Sequence, residues 1–157
     1  MSKLEKAYIA GFLDGDGCIM AQLVRRRDYR FGYQIRVSIV FYQKKSHQEI
    51  IYWLKNKLNY GYIRERNDQM VEYTIVGLKE VYSVLKTVYP YIRLKRKLTR
   101  LVTKIIKSFP KKMTANKLIR LSKLVDETAK FTYSKKRKNL SNKVKEHLDN
   151  ISFPRRD

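Results

Sequence analysis

The sequence predicts an α+β fold, in which helices cover one face of a four-stranded antiparallel sheet. The predicted order is αββαββα, followed by further C-terminal helices. Apolar and polar residues alternate over 19–26 and again over 34–42, as in half-buried strands, and elsewhere apolar residues recur at helical spacing. The 157 residues suit one domain, with a core over about 1–110 and C-terminal helices and a basic loop over about 111–157.

The first helix is predicted over 4–13 and ends at the glycines of a DGDG run. The first hairpin follows, with its turn near 30–31, and this turn places Gln43 roughly opposite Cys18. The apolar face of the hairpin consists of Ile19, Ala21, Leu23, Ile35, Val37, Ile39 and Phe41.

Ser46 and Glu49 have the spacing of a capping box and are predicted to open a second helix. The remaining predicted elements are a hairpin over 60–66 and 70–76, helices that end at Pro90 and Pro110, a helix over about 115–130, and a helix over 141–151 with Ser141 as its N-cap.

The charge of the chain indicates a polyanionic partner. Its formal net charge is +22, from 36 Lys and Arg against 14 Asp and Glu, and nucleic acid is the commonest polyanion. A charge that only aids solubility is the alternative, although about 2–8 suffices for a small domain. The single cysteine excludes a disulfide framework and a multi-cysteine zinc site. Since no secretory signal or long apolar run is present, we expect no membrane partner. With nucleic acid as the expected partner, we expect no small-molecule substrate.

Two of the few acidic residues, Asp14 and Asp16, lie together where the first helix ends. The helix dipole disfavours negative charge there by about 0.3–1 kcal/mol, and the last backbone carbonyls lack helical partners. Carboxylate and carbonyl oxygens suit a hard divalent cation such as Mg²⁺. An ordinary helix-ending turn is the alternative, and an EF-hand fits poorly because Cys18 occupies its fifth ligand position.

The same helix has a face with almost no side chain. Ala7, Gly11 and Gly15 follow at i, i+4 and i+8, with Ala10 alongside. Glycine inside a helix costs about 1 kcal/mol relative to alanine, so the close approach of a second backbone would give these residues a purpose. The alternative is a helix that lies tightly on its own sheet.

The segment Ile9–Gly17, IAGFLDGDG, resembles the nine-residue signature of the LAGLIDADG homing endonucleases and is identical at five of nine positions. The resemblance continues through both hairpins, through Pro90–Lys97 and into the basic segment around Ser134–Asn139. It is similar in particular to the small homodimeric members encoded in organellar group I introns of green algae.

The resemblance implies a homodimer, because the chain contains one copy of the motif. The residues placed at the dimer interface in this way are Ala7, Ala10, Gly11 and Asp14. The resemblance also implies that Asp16 and the carbonyl of Gly15 bind Mg²⁺, with Mn²⁺ as a plausible substitute. Gln43 then matches a water-positioning glutamine and Lys95 a lysine of the catalytic pocket. His47 falls where arginine is usual, so it is either a weaker basic group or part of a helical turn.

The even-numbered face of the sheet mixes polar and apolar side chains, as a ribbon that reads the DNA major groove requires. A solvated sheet face is the alternative, but it leaves several exposed apolar side chains unexplained. The even-numbered positions match base-contacting positions of the family, and they are Met20, Gln22, Val24, Arg26, Gln34, Arg36, Ser38, Val40, Tyr42, Arg64, Arg66, Glu72 and Thr74. Phosphate contacts are predicted for Ser134, Lys135, Lys138 and Asn139 in the C-terminal loop.

The resemblance implies a site-specific endonuclease that makes a staggered double-strand break in a long pseudo-palindromic DNA target by metal-assisted hydrolysis. A catalytically inactive DNA-binding protein and an intron-RNA maturase of the same fold are the alternatives. Lys, Ile, Asn, Tyr and Phe make up 60 of 157 residues, a bias that suits the A/T-rich codons of an organelle. We therefore expect an organellar protein, from a chloroplast rather than a mitochondrion.

Overall fold

The computed structural model describes residues 1–133 and 136–152 and confirms the predicted α+β fold. The strands are β1 (Gly17–Arg25), β2 (Tyr33–Lys44), β3 (Tyr62–Glu65) and β4 (Met70–Val76). The helices are α1 (Lys3–Gly15), α2 (Glu49–Leu58), α3 (Leu78–Val88), α4 (Arg96–Lys107), α5 (Ala115–Glu127) and α6 (Ser141–Ser152). No helix in this part of the chain is long and apolar enough to cross a bilayer.

The four strands form one antiparallel sheet in the order β1-β2-β4-β3. The register pairs Ile19 with Ile39 and Ile39 with Ile75, so the odd-numbered apolar side chains share one face. All three are buried in the core together with side chains from α1 to α6. The C-terminal helices therefore share a core with the N-terminal part of the chain.

The predicted position of the first turn is wrong by one or two residues. Arg25 pairs with Tyr33, which centres the turn on Tyr29, and Cys18 pairs with Val40 rather than with Gln43. Because register depends on turn geometry, a small error in the turn shifts every cross-strand pair. Gln43 instead lies beyond the N-terminal end of β1, since Gly17 pairs with Phe41, and it pairs with Val71 of β4.

Two predicted helix caps differ from the structure. β2 continues to Lys44, and a short 3₁₀ turn over Lys45–His47 separates it from α2, whose N-cap Gln48 makes no side-chain capping bond. Ser46 therefore caps nothing. Ser141 is the first residue of α6 rather than the residue before it, and its amide donates a 2.9 Å hydrogen bond to Asp126 Oδ2.

A capping box does occur at the start of α1, where the sequence analysis missed it. Ser2 Oγ accepts from the Glu5 amide at 3.1 Å, and the Ser2 amide donates to Glu5 Oε2 at 2.8 Å. This Ser-x-x-Glu spacing was visible in the sequence. It fixes the start of the helix whose other end holds the candidate site.

Candidate active site and nucleic-acid interface

Asp16 lies at the C-terminal end of α1 and is exposed. Its amide donates to the Phe12 carbonyl at 2.9 Å, which completes the last turn of the helix. Its carboxylate makes no hydrogen bond or ion pair within the described residues. An acid at this end of a helix faces partial negative charge, so a bound cation would remove an unfavourable interaction.

Lys95 reaches the same helix end from the segment before α4. Its Nζ donates to the Leu13 carbonyl at 2.9 Å and also to the Asp14 carbonyl. Burial lowers the pKa of Lys95 below its usual value, while the charges of Asp14, Cys18 and Asp16 act in the opposite direction. The fold therefore brings Lys95 and Asp16 together from distant parts of the chain.

Asp14 makes the contacts that place Lys95 there. Its Oδ2 accepts from the amides of Arg93 at 2.7 Å and Leu94 at 3.0 Å, and its Oδ1 accepts from the Lys95 amide at 3.0 Å. The carboxylate therefore holds residues 93–95 against the end of α1. Both oxygens have partners within one protomer, which gives Asp14 this anchoring role, and its place at the dimer interface stays a prediction.

The oxygen atoms at the end of α1 suit a hard divalent cation. Lys95 already binds the carbonyls of Leu13 and Asp14, which leaves the Asp16 carboxylate and the neighbouring Gly15 carbonyl as donors. No group of three or more His, Cys, Asp or Glu that could hold a metal occurs in the described part of the chain. One protomer therefore supplies fewer ligands than the six that Mg²⁺ prefers, so phosphate, water or a second carboxylate must supply the others.

Gln43 lies on the Asp16 side of the sheet, since Phe41 pairs with Gly17 and Gln43 is two residues further along β2. It is partly buried, and its Oε1 accepts from the Lys44 amide at 2.8 Å. Its amide nitrogen is thereby turned away from Lys44. His47 is exposed in the 3₁₀ turn, and no hydrogen bond or ion pair joins it to Asp16 or Lys95 within 1–133 and 136–152.

The even-numbered face of the sheet is only partly accessible. Four predicted base contacts are buried without DNA, namely Ser38 at 2 %, Val40 at 4 %, Glu72 at 9 % and Thr74 at 5 % exposure. They lie on β2 and β4, the two central strands, where neighbours on both sides cover short side chains. The prediction of direct base contacts at these four positions is therefore corrected.

The accessible predicted contacts surround this buried centre. Gln22, Arg26, Arg64 and Arg66 are exposed, and Met20, Val24, Gln34, Arg36 and Tyr42 are partly exposed. Arg26 is already paired with Asp28 at 2.7 Å. This arrangement leaves glutamine and arginine side chains, which can form bidentate contacts with bases, at the accessible edges of the face.

Glu72 has a different role from the predicted one. Its Oε1 is 2.9 Å from Arg64 Nη2 and its Oε2 is 3.7 Å from Arg66 Nη1. Tyr42 pairs with Glu72 across the strands, and burial raises the pKa of the Tyr42 hydroxyl. Glu72 thus orients two arginines that belong to the accessible part of the face.

The basic C-terminal loop is partly structural. Ser134 and Lys135 lie outside the described residues, and Lys138 is exposed. Asn139 Nδ2 donates at 2.9 Å to the Leu23 carbonyl and so ties the loop to β1, while the predicted phosphate contact of Asn139 stays a prediction. Arg137, which belongs to the same predicted phosphate-contacting loop, donates at 2.9 Å to the Val125 carbonyl and to Thr128 Oγ1, and so secures the end of α5.

The small residues of α1 divide between two faces. Ala10 is fully buried in the protomer core, so its predicted place at a dimer interface is wrong. A small side chain suits either kind of packing, and the sequence does not distinguish them. Gly11 is exposed, with no atom within 4 Å of where a Cβ would lie. On the exterior of the same helix, Leu4 is 83 % and Tyr8 is 54 % exposed, so a second copy has an apolar surface to cover.

An exposed carboxylate and a lysine beside a basic antiparallel sheet are groups that a metal-using nuclease would need, and comparison with known proteins establishes that class. The chain belongs to the LAGLIDADG endonuclease family, whose model matches residues 9–99. It is 38 % identical to DNA endonuclease I-CvuI of Chlorella vulgaris, over 95 % of this chain and 92 % of that protein. It is 33 % identical to DNA endonuclease I-CreI of Chlamydomonas reinhardtii, over 92 % of this chain and 89 % of that protein.

Solved structures agree with this membership. I-CvuI bound to the I-CreI target in the presence of Mg has a TM-score of 0.92 and 37 % identity, covering 96 % of each chain. I-CvuI bound to its own target in the presence of Ca has a TM-score of 0.91. An archaeal intron-encoded homing endonuclease, I-Vdi141I, shares the fold with a TM-score of 0.82 at 22 % identity, over 95 % of this chain and 97 % of that one.

Proposed function

We propose that this DNA endonuclease acts as a homodimer and makes a staggered double-strand break in a long pseudo-palindromic site, with Mg²⁺ as its cofactor and Mn²⁺ as a substitute. The observation on which the proposal rests is the end of α1, where an exposed, unpaired Asp16 and an anchored Lys95 lie beside a basic sheet. The I-CvuI complexes support DNA binding with a divalent metal present, since I-CvuI binds DNA in Mg, where the DNA is not cleaved, and in Ca.

The residues at the site have separate tasks in this proposal. When bound, the divalent cation lowers the pKa of water and stabilises charge on the phosphate oxygens. Asp16 and the Gly15 carbonyl hold it. Lys95 directs its ammonium group toward the charge that develops on the scissile phosphate, and Gln43 orients the attacking water through its amide. His47 stands at the margin of this site, as a weaker basic group where the family usually has arginine.

The homodimer follows from what one protomer lacks. Each chain has one motif helix and one Asp16, whereas a double-strand break needs one site for each strand. Packing the Ala7 and Gly11 face of α1 against its copy brings the two Asp16 carboxylates close to one two-fold axis. The sheets of the two protomers then follow the major groove on either side, and this symmetry predicts a pseudo-palindromic target.

A cleavage assay on the purified protein tests the proposal. Cleavable duplexes are selected from a randomised library in Mg²⁺, and the best duplex is then incubated with Mg²⁺, Mn²⁺, Ca²⁺ or a chelator. We expect cutting of both strands in Mg²⁺ and Mn²⁺, binding alone in Ca²⁺, and no cutting with the chelator. Cleavage in the chelator would contradict the cofactor assignment, and binding without cleavage in every metal would favour the inactive DNA-binding alternative.

We further propose that the protein is organellar, and chloroplast rather than mitochondrial. The two relatives from green algae support this location, and the bias toward amino acids with A/T-rich codons supports an organelle. A third relative, 24 % identical over 61 % of this chain and 22 % of its own length, is an uncharacterized protein in ND4 intron 1 of Podospora anserina. Sequencing the DNA on both sides of the gene tests the proposal, since nuclear flanks would contradict it.

A further inference from the structure

We propose that the outer face of α4 forms a second binding site, for the phosphodiester backbone of a nucleic acid that does not lie on the sheet. The site is a cavity of about 460 Å³ lined by Arg93, Leu94, Arg96, Lys97 and Arg100. It goes beyond the proposed endonuclease function and uses none of the residues assigned to cleavage.

The charge of this cavity is uncompensated. Four of its five lining residues are cationic, and none of the four makes a salt bridge within the described residues. Four like charges in one cavity repel one another, and an anion removes that repulsion. Since the lining contains no carboxylate, the cavity favours an anion over a zwitterion.

Tyr89 holds two of the arginines in place before any ligand binds. Arg100 Nε donates to the Tyr89 hydroxyl at 2.8 Å, and the Arg96 guanidinium lies 4.6 Å from the centre of the same ring. Arg100 in turn lowers the pKa of the Tyr89 hydroxyl. Arg96 Nη1 also donates to the Ile92 carbonyl at 3.3 Å. Fixed guanidinium groups lose less entropy on binding a phosphate than free side chains do.

Arg93 and Leu94 border the end of α1, whereas Arg96 and Arg100 lie away from the DNA-reading face. α4 packs on β1, α3 and α5 through Leu98, Val102 and Ile105, which belong to the core on the odd-numbered side of the sheet. Arg96 and Arg100 are four residues apart and therefore share the opposite side of this helix. A duplex bound to the even-numbered face does not also cover this side.

The arrangement fits a polymer backbone better than a single phosphate. The cations extend from Arg93 to Arg100, more than one helical turn of about 5.4 Å, so they can reach neighbouring phosphates. Further along the same helix, Lys107 Nζ lies 5.6 Å from the ring of Tyr82 and repeats the pairing of a cation with a tyrosine. Guanidinium groups bind phosphate oxygens in bidentate fashion, and they recognise a backbone without reading its sequence.

The test uses the full-length protein with its sheet already occupied. The protein is saturated with its unlabelled cleavage duplex in Ca²⁺, and a labelled duplex without the target sequence or a labelled RNA hairpin is then titrated by anisotropy at several salt concentrations. The variant R96Q/R100Q is compared with K117Q/K123Q, which removes the same charge from two exposed lysines of α5. Thermal unfolding checks that both variants are folded.

We expect the wild type to bind a second, labelled nucleic acid. In R96Q/R100Q that binding weakens about tenfold or more, and the slope of log K against log salt falls by about 1.8, or 0.9 for each lost phosphate contact. K117Q/K123Q changes the affinity for the labelled nucleic acid by less than about twofold, because the two lysines that it removes contribute only to the general positive field of the protein. Tyr89→Phe, which removes only the hydroxyl that binds Arg100, gives an intermediate loss.

The two labelled probes distinguish the source of the backbone. Binding of the duplex identifies DNA beyond the target, and binding of the hairpin identifies RNA; either result supports the site. No second binding by the wild type at low salt, or equal losses in the two double variants, would overturn it. If the wild type neither cuts nor binds its unlabelled target duplex, that result contradicts the proposed endonuclease function and not the second site.

Discussion

The end of α1 and the even-numbered face of the sheet hold their polar groups in different ways. At the end of α1, Asp14 accepts from three backbone amides and Lys95 donates to two backbone carbonyls. On the sheet, Arg64 and Arg66 pair only with side chains such as Glu72. Backbone partners do not change when neighbouring side chains change. The region to which we assign the chemistry is therefore fixed by backbone contacts, whereas the face to which we assign DNA reading can vary residue by residue.

Replacement of Lys95 by glutamine tests the role of the end of α1, and we expect it to cause the greatest loss of activity. The amide keeps a donor near the Leu13 carbonyl but removes the charge, so cleavage should fall by about 10²- to 10³-fold while binding in Ca²⁺ is retained. Lys104→Gln, at an exposed position of the same helix, is the control. A Lys95→Gln protein with wild-type cleavage rates would exclude a catalytic contribution.

Lys95 also predicts a pH dependence. Burial lowers its pKa below that of an exposed lysine, so the ammonium group loses its proton at a lower pH. Cleavage should therefore decline as pH rises through this lowered pKa, below the usual value of about 10.4. Lys95→Gln should abolish that decline, and an unchanged alkaline limb in the variant would assign the titration to another group.

Gly11→Leu tests whether the chemical region is completed by a second copy. The site of a Cβ at Gly11 has no neighbour within 4 Å in the protomer, so the side chain fits the monomer but separates two packed helices. Overpacking costs about 1–3 kcal/mol, which weakens a dimer by roughly 5- to 150-fold. Analytical sedimentation measures the dissociation constant of the dimer, with Lys123→Leu as the control. A wild-type monomer at micromolar concentration would contradict the homodimer.

Arg64→Ala and Glu72→Gln test the role of the even-numbered face of the sheet in DNA recognition. We expect their effects on binding specificity to be small. Loss of Arg64 should reduce discrimination at one base pair by about 1–3 kcal/mol in competition binding. Glu72→Gln should reduce it less, because the arginine remains and only its orientation is released. Arg25→Ala, at an odd-numbered position, is the control. Equal effects of all three changes would indicate general electrostatics rather than reading.

Patterns with a fixed period predicted the fold well. Alternation at period two placed Ile19, Ile39 and Ile75 on one buried face, because successive side chains of a strand point to opposite faces of the sheet. The position of Gln43 was harder, since register depends on a turn whose geometry the sequence does not specify. The supposed cap at Ser46 failed because β2 and a 3₁₀ turn extend past it.

A site residue could be predicted where its role depends on a local sequence motif. It could not be predicted where its role depends on contacts with distant parts of the chain. Asp16 could be found at a helix end from the sequence. Asp14, two residues away, could not be assigned to the amides of Arg93 to Lys95, since these lie about eighty residues along the chain. Asn139 was predicted to contact phosphate, and its Nδ2 also donates to the Leu23 carbonyl, a contact between distant parts of the chain that was not predicted. Composition alone cannot distinguish these partners.

Asp14 and Asp16 lie two residues apart and have separate tasks, which a paired measurement on two variants can test. Asp14→Asn and Asp16→Asn are each assayed for cleavage in Mg²⁺, binding in Ca²⁺ and urea unfolding. We expect Asp16→Asn to bind and to keep its stability but to cut neither strand. Asp14→Asn weakens charge-assisted bonds to three amides, so it should lose about 1.5–3 kcal/mol of unfolding free energy. Full cleavage by Asp16→Asn, or wild-type stability in Asp14→Asn, would contradict the account.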